Sequence, residues 1–144
     1  MKKIDKDTKE IIDSFVSEGY ERLEDAESKI PYLESDESAE IVNTVFRLFH
    51  SIKGSAGYLN FQNIKSVTHE AETLLDLYRK GNRKPDPKEI DLLYQTLDVL
   101  HQMIEMVEKE LSDEGFEKDA EIVVNSIAES IANIRDSREK RGDF

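Results

Sequence analysis

An all-α fold is predicted: an antiparallel four-helix bundle with an additional C-terminal fifth helix. Three observations predict it. Apolar residues recur at helical spacing along nearly all of the 144 residues, and no stretch alternates with the two-residue period of a half-buried strand. The breaks between the periodic stretches are short, so consecutive helices must fold back on one another.

The first helix is expected from about Asp7 to Ile30, with Ile11, Ile12, Phe15, Tyr20, Leu23, Ala26 and Ile30 as its apolar stripe and Pro31 at its end. The second begins near Ser35 or Asp36, either of which can cap it, and runs through Ile41, Val45, Leu48, Ile52 and Ala56. Asn60 is a plausible cap for a third, carrying Ile64, Val67, Ala71, Leu74, Leu75 and Tyr78 and ending at Gly81. The segment NRKPDPK reads as a turn-rich connection, because its two prolines and aspartate oppose helix. A fourth helix follows with Ile90, Leu93, Leu97, Leu100, Ile104, Val107 and Leu111. After SDEGF, a fifth carries Ile122, Val123, Ile127, Ile131 and Ile134. The expectation is one domain over 1–137, with the bundle at about 7–111 and the fifth helix at about 117–137 packed on its side or end. Residues 138–144 would be a frayed tail or the start of a linker. One domain of this size can stabilise its own core.

Composition narrows the function. With 32 acidic against 20 basic residues the net charge is −12, a sign that repels phosphate backbones and anionic lipid headgroups. Nucleic acid and membrane are therefore not expected partners. No apolar run is long enough to cross a bilayer, and MKKIDKDTKE lacks the apolar core of a signal peptide. The absence of cysteine excludes disulfides and thiolate metal sites and fits a reducing cytosol, so a cytoplasmic location is expected.

The stretch FRLFHSIKGSAGY, residues 46–58, carries the strongest local signal. On a helix turning about 100° per residue, with Ile41 at zero, the stripe of Val45, Leu48, Ile52 and Ala56 lies to one side and His50 falls near the opposite pole. His50 should therefore be exposed. Gly54 lies one turn below it, Gly57 two turns below, and Lys53 at the three-residue spacing that brings side chains together. Each mid-helix glycine costs about 0.5–1 kcal/mol relative to alanine, so two on one exposed face suggest close approach to the backbone there. Tight helix contact or a frayed end is the plainer explanation. On the third helix Glu72 falls on the flank and His69 further toward solvent. Across an antiparallel pair, Glu72 could accept a hydrogen bond from one ring nitrogen of His50 and leave the other nucleophilic.

HSIKGSAG at 50–57 resembles the His-x-x-Lys-Gly signature of histidine phosphotransfer (HPt) domains. THEAETLLDLYRKG at 68–81 resembles the matching helix of the N-terminal phosphotransfer domain of the chemotaxis histidine kinase CheA. The resemblance covers most of residues 8–112, and the family also has a fifth helix after the bundle. It implies that His50 accepts the γ-phosphoryl group of ATP from a separate histidine kinase catalytic domain and passes it to an aspartate of a CheY-like or CheB-like receiver domain. Lys53 would neutralise the phosphoryl charge, Glu72 would hold and polarise His50, and His69 would belong to the same polar network. Gly54, and Gly57 with it, would clear a docking surface. No cofactor is implied for the chain itself, since ATP and magnesium belong to the partner kinase. A glycine-rich phosphate loop followed by Lys-Ser/Thr is missing, so autonomous catalysis is not expected, and the isolated domain should be a monomer. The sequence leaves open whether it stands free or begins a larger kinase.

Rival readings remain. Asp98-Val99-Leu100-His101 and His69…Glu72 have the spacing of carboxylate–imidazole pairs in di-iron bundles, although the core stripes offer aliphatic residues rather than a ring of carboxylates. A non-catalytic interaction module is a second rival. The dimerisation helix pair of a sensor kinase is a third, but the His-Glu and following Pro usual for it are missing after His50.

Overall fold

The computed structural model describes residues 5–81 and 83–141, with side chains through Arg138. Five α-helices follow in order: α1 (Lys6–Lys29), α2 (Ser38–Tyr58), α3 (Gln62–Gly81), α4 (Pro87–Glu110) and α5 (Glu117–Arg141), with a 3₁₀ helix, Ile30–Glu34, between α1 and α2. Helix α1 packs against α2 and α4, α3 closes the ring against α2 and α4, and α5 lies along α3 and α4. The four-helix bundle with an added fifth helix is as expected.

Helix α1 starts where the Asp5 side chain accepts a 2.7 Å hydrogen bond from the Thr8 backbone N–H. Its buried face is Ile12, Phe15, Val16, Gly19, Leu23 and Ala26. Ile11, expected in that stripe, is 45% exposed. The apolar arc is centred further round the helix, where Gly19 lets Ile104 of α4 come close: a Cβ built on Gly19 would stand 2.9 Å from the Ile104 Cδ1 atom. Pro31 does not simply end the chain's helical path. It occupies the first turn of the 3₁₀ helix, where its missing N–H is harmless, and that turn drives Ile30 and Leu33 into the core.

Neither Ser35 nor Asp36 caps α2, which begins at Ser38 after Glu37 without a side-chain cap. The core face of α2 is Val42, Val45, Phe49, Ile52 and Ala56, while Ile41 and Leu48 are only partly buried. Asn60 also departs from expectation: it ends α2 instead of starting α3. At φ 63° it adopts the left-handed conformation, with its N–H bonded to Gly57 O at 3.2 Å and that of Phe61 to Ala56 O at 2.8 Å. That pairing is the Schellman closure of a helix C-terminus.

The cap of α3 comes from a distance. Asp113, in the connection from α4 to α5, accepts a 2.9 Å bond from the Ile64 N–H through Oδ2, and its carbonyl accepts one of 2.8 Å from Asn63 Nδ2. The expected apolar face of α3 is buried as read, from Ile64 to Tyr78. The connection into α4 is shorter than it reads. Asp86 and Glu89 form a reciprocal capping box around Pro87, so the second half of NRKPDPK begins the helix; Asn82 lies outside the described residues. Leu111, read as the end of the α4 stripe, is its C-cap with φ 60°. On α5, Val123, Ile127, Ile131 and Ile134 are buried, but Ile122 is 65% exposed. The helix continues to Arg141, past the expected end at 137; residues 142–144 lie outside the described residues.

Candidate functional site

The site lies on the seam between α2 and α3. With the core face of α2 centred near Val42, Phe49 and Ala56, His50 sits about 100° from that centre instead of at the opposite pole. That flank position lets it be exposed and still reach the neighbouring helix. Glu72 occupies the corresponding flank of α3 and is buried. The two meet: His50 Nδ1 lies 2.6 Å from Glu72 Oε1, with the imidazole side chain 64% exposed and the glutamate 8% exposed. With Nδ1 spent on the carboxylate, the ring's other nitrogen, Nε2, is the one distal to Glu72.

The second carboxylate oxygen belongs to Lys53. Its Nζ lies 2.6 Å from Glu72 Oε2, an ion pair outside hydrogen-bonding geometry, and the lysine side chain is 25% exposed. A buried carboxylate without a partner is strongly unfavourable. Lys53 and His50 together supply the compensation, one on each oxygen. The resemblance pointed Lys53 at an incoming phosphoryl group; in the structure its ammonium is engaged with Glu72.

The remaining candidates stand differently. His69 is exposed, and among the described residues no hydrogen bond or ion pair joins its ring to His50, Lys53 or Glu72. A Cβ on Gly54 would meet nothing within 4 Å, so the backbone there is open beside His50. Gly57 is half-buried, and a Cβ on it would lie 3.6 Å from Lys65 Cδ, an ordinary contact with α3. His101 lies apart on α4, its ring 4.9 Å from that of Tyr20. Among the described residues no group of three or more His, Cys, Asp or Glu side chains is placed to hold a metal ion. No helix among them is long and apolar enough to cross a membrane.

Two residues beside His50 escaped the sequence reading. Phe46, one turn earlier on α2, has its ring nearly parallel to the imidazole, 9° apart with centroids 6.2 Å apart. Arg79 of α3 covers the Phe46 ring, with Cζ 4.2 Å from its centroid. A phenylalanine four residues before the histidine is visible in the sequence, but it reads there as one more apolar residue.

The chain is similar to several chemotaxis proteins. It is 31% identical over 117 residues to the sensor histidine kinase CheAY of Helicobacter pylori, a match covering 81% of this chain and 15% of that protein. It is 37% identical over 95 residues to the chemotaxis protein CheA of Rhizobium meliloti, covering 65% of this chain and 12% of that one. The chain thus spans only a small part of these relatives. Its fold matches that of the phosphorylated P1 domain of CheA3 from R. sphaeroides, solved in complex with CheY6, with a TM-score of 0.80 and 24% identity over 87% of this chain and 98% of that one. The Hpt domain model matches residues 10–110, a span that takes in His50, Lys53, Gly54 and Glu72, and the chain belongs to the Hpt domain family.

Proposed function

We propose that the chain is a phosphoryl carrier in two-component signalling. Nε2 of His50 attacks the γ-phosphorus of ATP held with magnesium by a CheA-type catalytic domain; the bond to the β-phosphate oxygen breaks and ADP leaves. An aspartate oxygen of a CheY-like or CheB-like receiver domain then attacks the same phosphorus, and the P–N bond breaks. The pathway is chemotaxis, the compartment the cytoplasm, and the carrier acts as a monomer with no cofactor of its own.

One observation carries this reading: an imidazole mostly in solvent, anchored at Nδ1 by a buried carboxylate at 2.6 Å. The anchor fixes the Nδ1–H tautomer, leaves a lone pair on Nε2, and balances the positive charge that develops on the ring as Nε2 bonds to phosphorus. Lys53, 2.6 Å from the other carboxylate oxygen, holds Glu72 in place. The open backbone at Gly54 admits the partner's active site. The similarity to CheA proteins supports the choice of kinase and receiver.

The test is phosphorylation of the purified chain by a CheA-type catalytic domain with radiolabelled ATP, beside His50→Gln. Acid-labile, alkali-stable label that vanishes in the variant is the expected result. A folded chain that takes no label from several such kinases overturns the carrier reading and favours a non-catalytic interaction module.

A further inference from the structure

We propose that Phe46 and Arg79 are positioning residues for His50, forming a stack that sets the plane of the imidazole. The proposal rests on the carrier reading above.

The hydrogen bond from Nδ1 to Glu72 holds one atom of the ring. Acceptor geometry at a carboxylate is broad, so a ring held only there can swing about the line joining the two atoms. In-line attack on phosphorus does not tolerate that swing, because misplacing a reacting atom by about 1 Å can lower a rate about a hundred-fold. A second constraint is therefore needed, and His50, 64% exposed, receives none from the core.

Phe46 supplies a plane. Its ring and the imidazole are 9° from parallel at 6.2 Å between centroids, within the range of offset aromatic pairs. Phe46 is itself only partly buried, and its ring is fixed in turn by Arg79, whose Cζ lies 4.2 Å from the ring centroid. A planar guanidinium suits that role better than an ammonium, since it stacks flat while keeping donors free at its edge. One of those donors is held: Arg79 Nη2 bonds to Asp76 Oδ1 at 2.8 Å, and Lys80 closes on Oδ2 of the same carboxylate at 2.8 Å. Asp76, Arg79, Phe46 and His50 thus form one series across the α2–α3 seam, independent of the Glu72 contact. The stack also makes the two ends of the site unequal. The Phe46 end is walled, whereas at Gly54 an added Cβ meets nothing within 4 Å, so the partner's phosphoryl group enters over Gly54.

The experiment uses the full chain with Phe46→Leu, Arg79→Gln and Arg79→Lys. Three quantities are read: ring ¹⁵N shifts of His50, its carbethoxylation rate by diethyl pyrocarbonate with His101 as internal reference, and kcat and KM for phosphorylation by a CheA-type catalytic domain. Phe46→Leu should lower kcat about three- to ten-fold, the worth of an offset aromatic pair, with KM unchanged. It should also shift the His50 ring ¹⁵N resonances, while the Nδ1–H tautomer held by Glu72 persists, and alter its carbethoxylation relative to His101. Arg79→Gln should act in the same direction more weakly, and Arg79→Lys should recover part of the loss. A folded Phe46→Leu chain with parental ¹⁵N shifts, carbethoxylation and kcat overturns the proposal. If Phe46→Leu does not fold, Arg79→Gln, altering a side chain at the surface, decides by the same readouts. If the parent chain takes no label, the carrier reading fails, while the ring shifts and carbethoxylation still decide whether the stack positions His50.

Discussion

Helices α2 and α3 and helices α1 and α4 form opposite halves of one bundle, and they are built to different ends. Helices α1 and α4 together carry fourteen acidic and six basic side chains; α2 and α3 carry four acidic and five basic. Eight of the chain's twelve net negative charges therefore lie on α1 and α4, and none of the excess lies on the two helices that carry His50 and Glu72. The contrast extends to glycine. Gly19 on α1 is filled by Ile104 of α4, whereas Gly54 on α2 faces open space. The same residue type closes a core in one half and clears a surface in the other. The buried polar groups differ likewise: the α2–α3 seam hides a carboxylate with two cationic or imidazole partners, while the α1–α4 seam holds Tyr20 and Glu108 in a surface hydrogen bond of 3.3 Å.

The sharpest way to break this contrast is to remove one carboxylate from each half. Glu72→Ala should slow phosphorylation about ten- to hundred-fold, the worth of a hydrogen bond involving a charged group, whereas Glu105→Ala on α4 should leave the rate unchanged. Equal rates in the two variants would erase the functional distinction between the halves. The glycines come next. Gly19→Leu forces extra volume against Ile104 and should cost about 1–3 kcal/mol in denaturant unfolding. Gly54→Leu should leave stability unchanged or raised, because it relieves a helical glycine, yet impair phosphorylation.

Asp113 supplies a finer test. Replacing it with Ala removes the side-chain acceptor at the α3 N-terminus and should cost about 1 kcal/mol, while Asn, which keeps an acceptor oxygen, should cost less. Burial raises the Asp113 pKa above its ordinary 3.8, against the lowering effect of the bonds from Ile64 and Asn63. A raised native pKa means the folded state holds the proton longer. This group's contribution to stability should therefore fall as pH rises through the range just above 3.8, and Asp113→Asn should flatten that slope. Asp76 gives the smallest effect, with the opposite sign. The bond to Lys80 first, and the charges of Lys80 and Arg79, hold its pKa below 3.8. Its contribution is present above that value and is lost as pH falls through the lowered one. For a pair this exposed it should amount to a few tenths of a kcal/mol and shrink further in salt.

The sequence revealed most where chemistry and periodicity are local. The helices and the exposure of His50 could be read from spacing on neighbouring turns, and the partnership of Glu72 with it from setting the flanks of two antiparallel helices side by side. The errors share a physical origin. A stripe read from apolar identity alone is wide, so on α2 it centres on Ile41 and Leu48 where the core face centres on Val42 and Phe49, and it takes in Ile11 and Ile122, which are exposed. Pro31 carries the same local signal whether it stops a helix or opens a 3₁₀ turn. Asp86 and Glu89 did carry a readable signal, the capping-box spacing, which the neighbouring prolines masked. The cap on α3 had no local signal at all, because its acceptor lies 49 residues further along the chain. Phe46 and Arg79 were hidden for a related reason: stacking depends on the angle between two helices, which spacing within either one does not encode.

That distant cap has a consequence for the order in which the molecule forms. The first turn of α3 obtains its acceptor only after α4 has been laid down and the chain has turned toward α5, since Ile64 must find Asp113. A nascent chain leaving the ribosome can wind α1 and α2 from local contacts, but the helix that presents Glu72 is completed by residues synthesised long after it. The histidine emerges early, and its anchor becomes secure late.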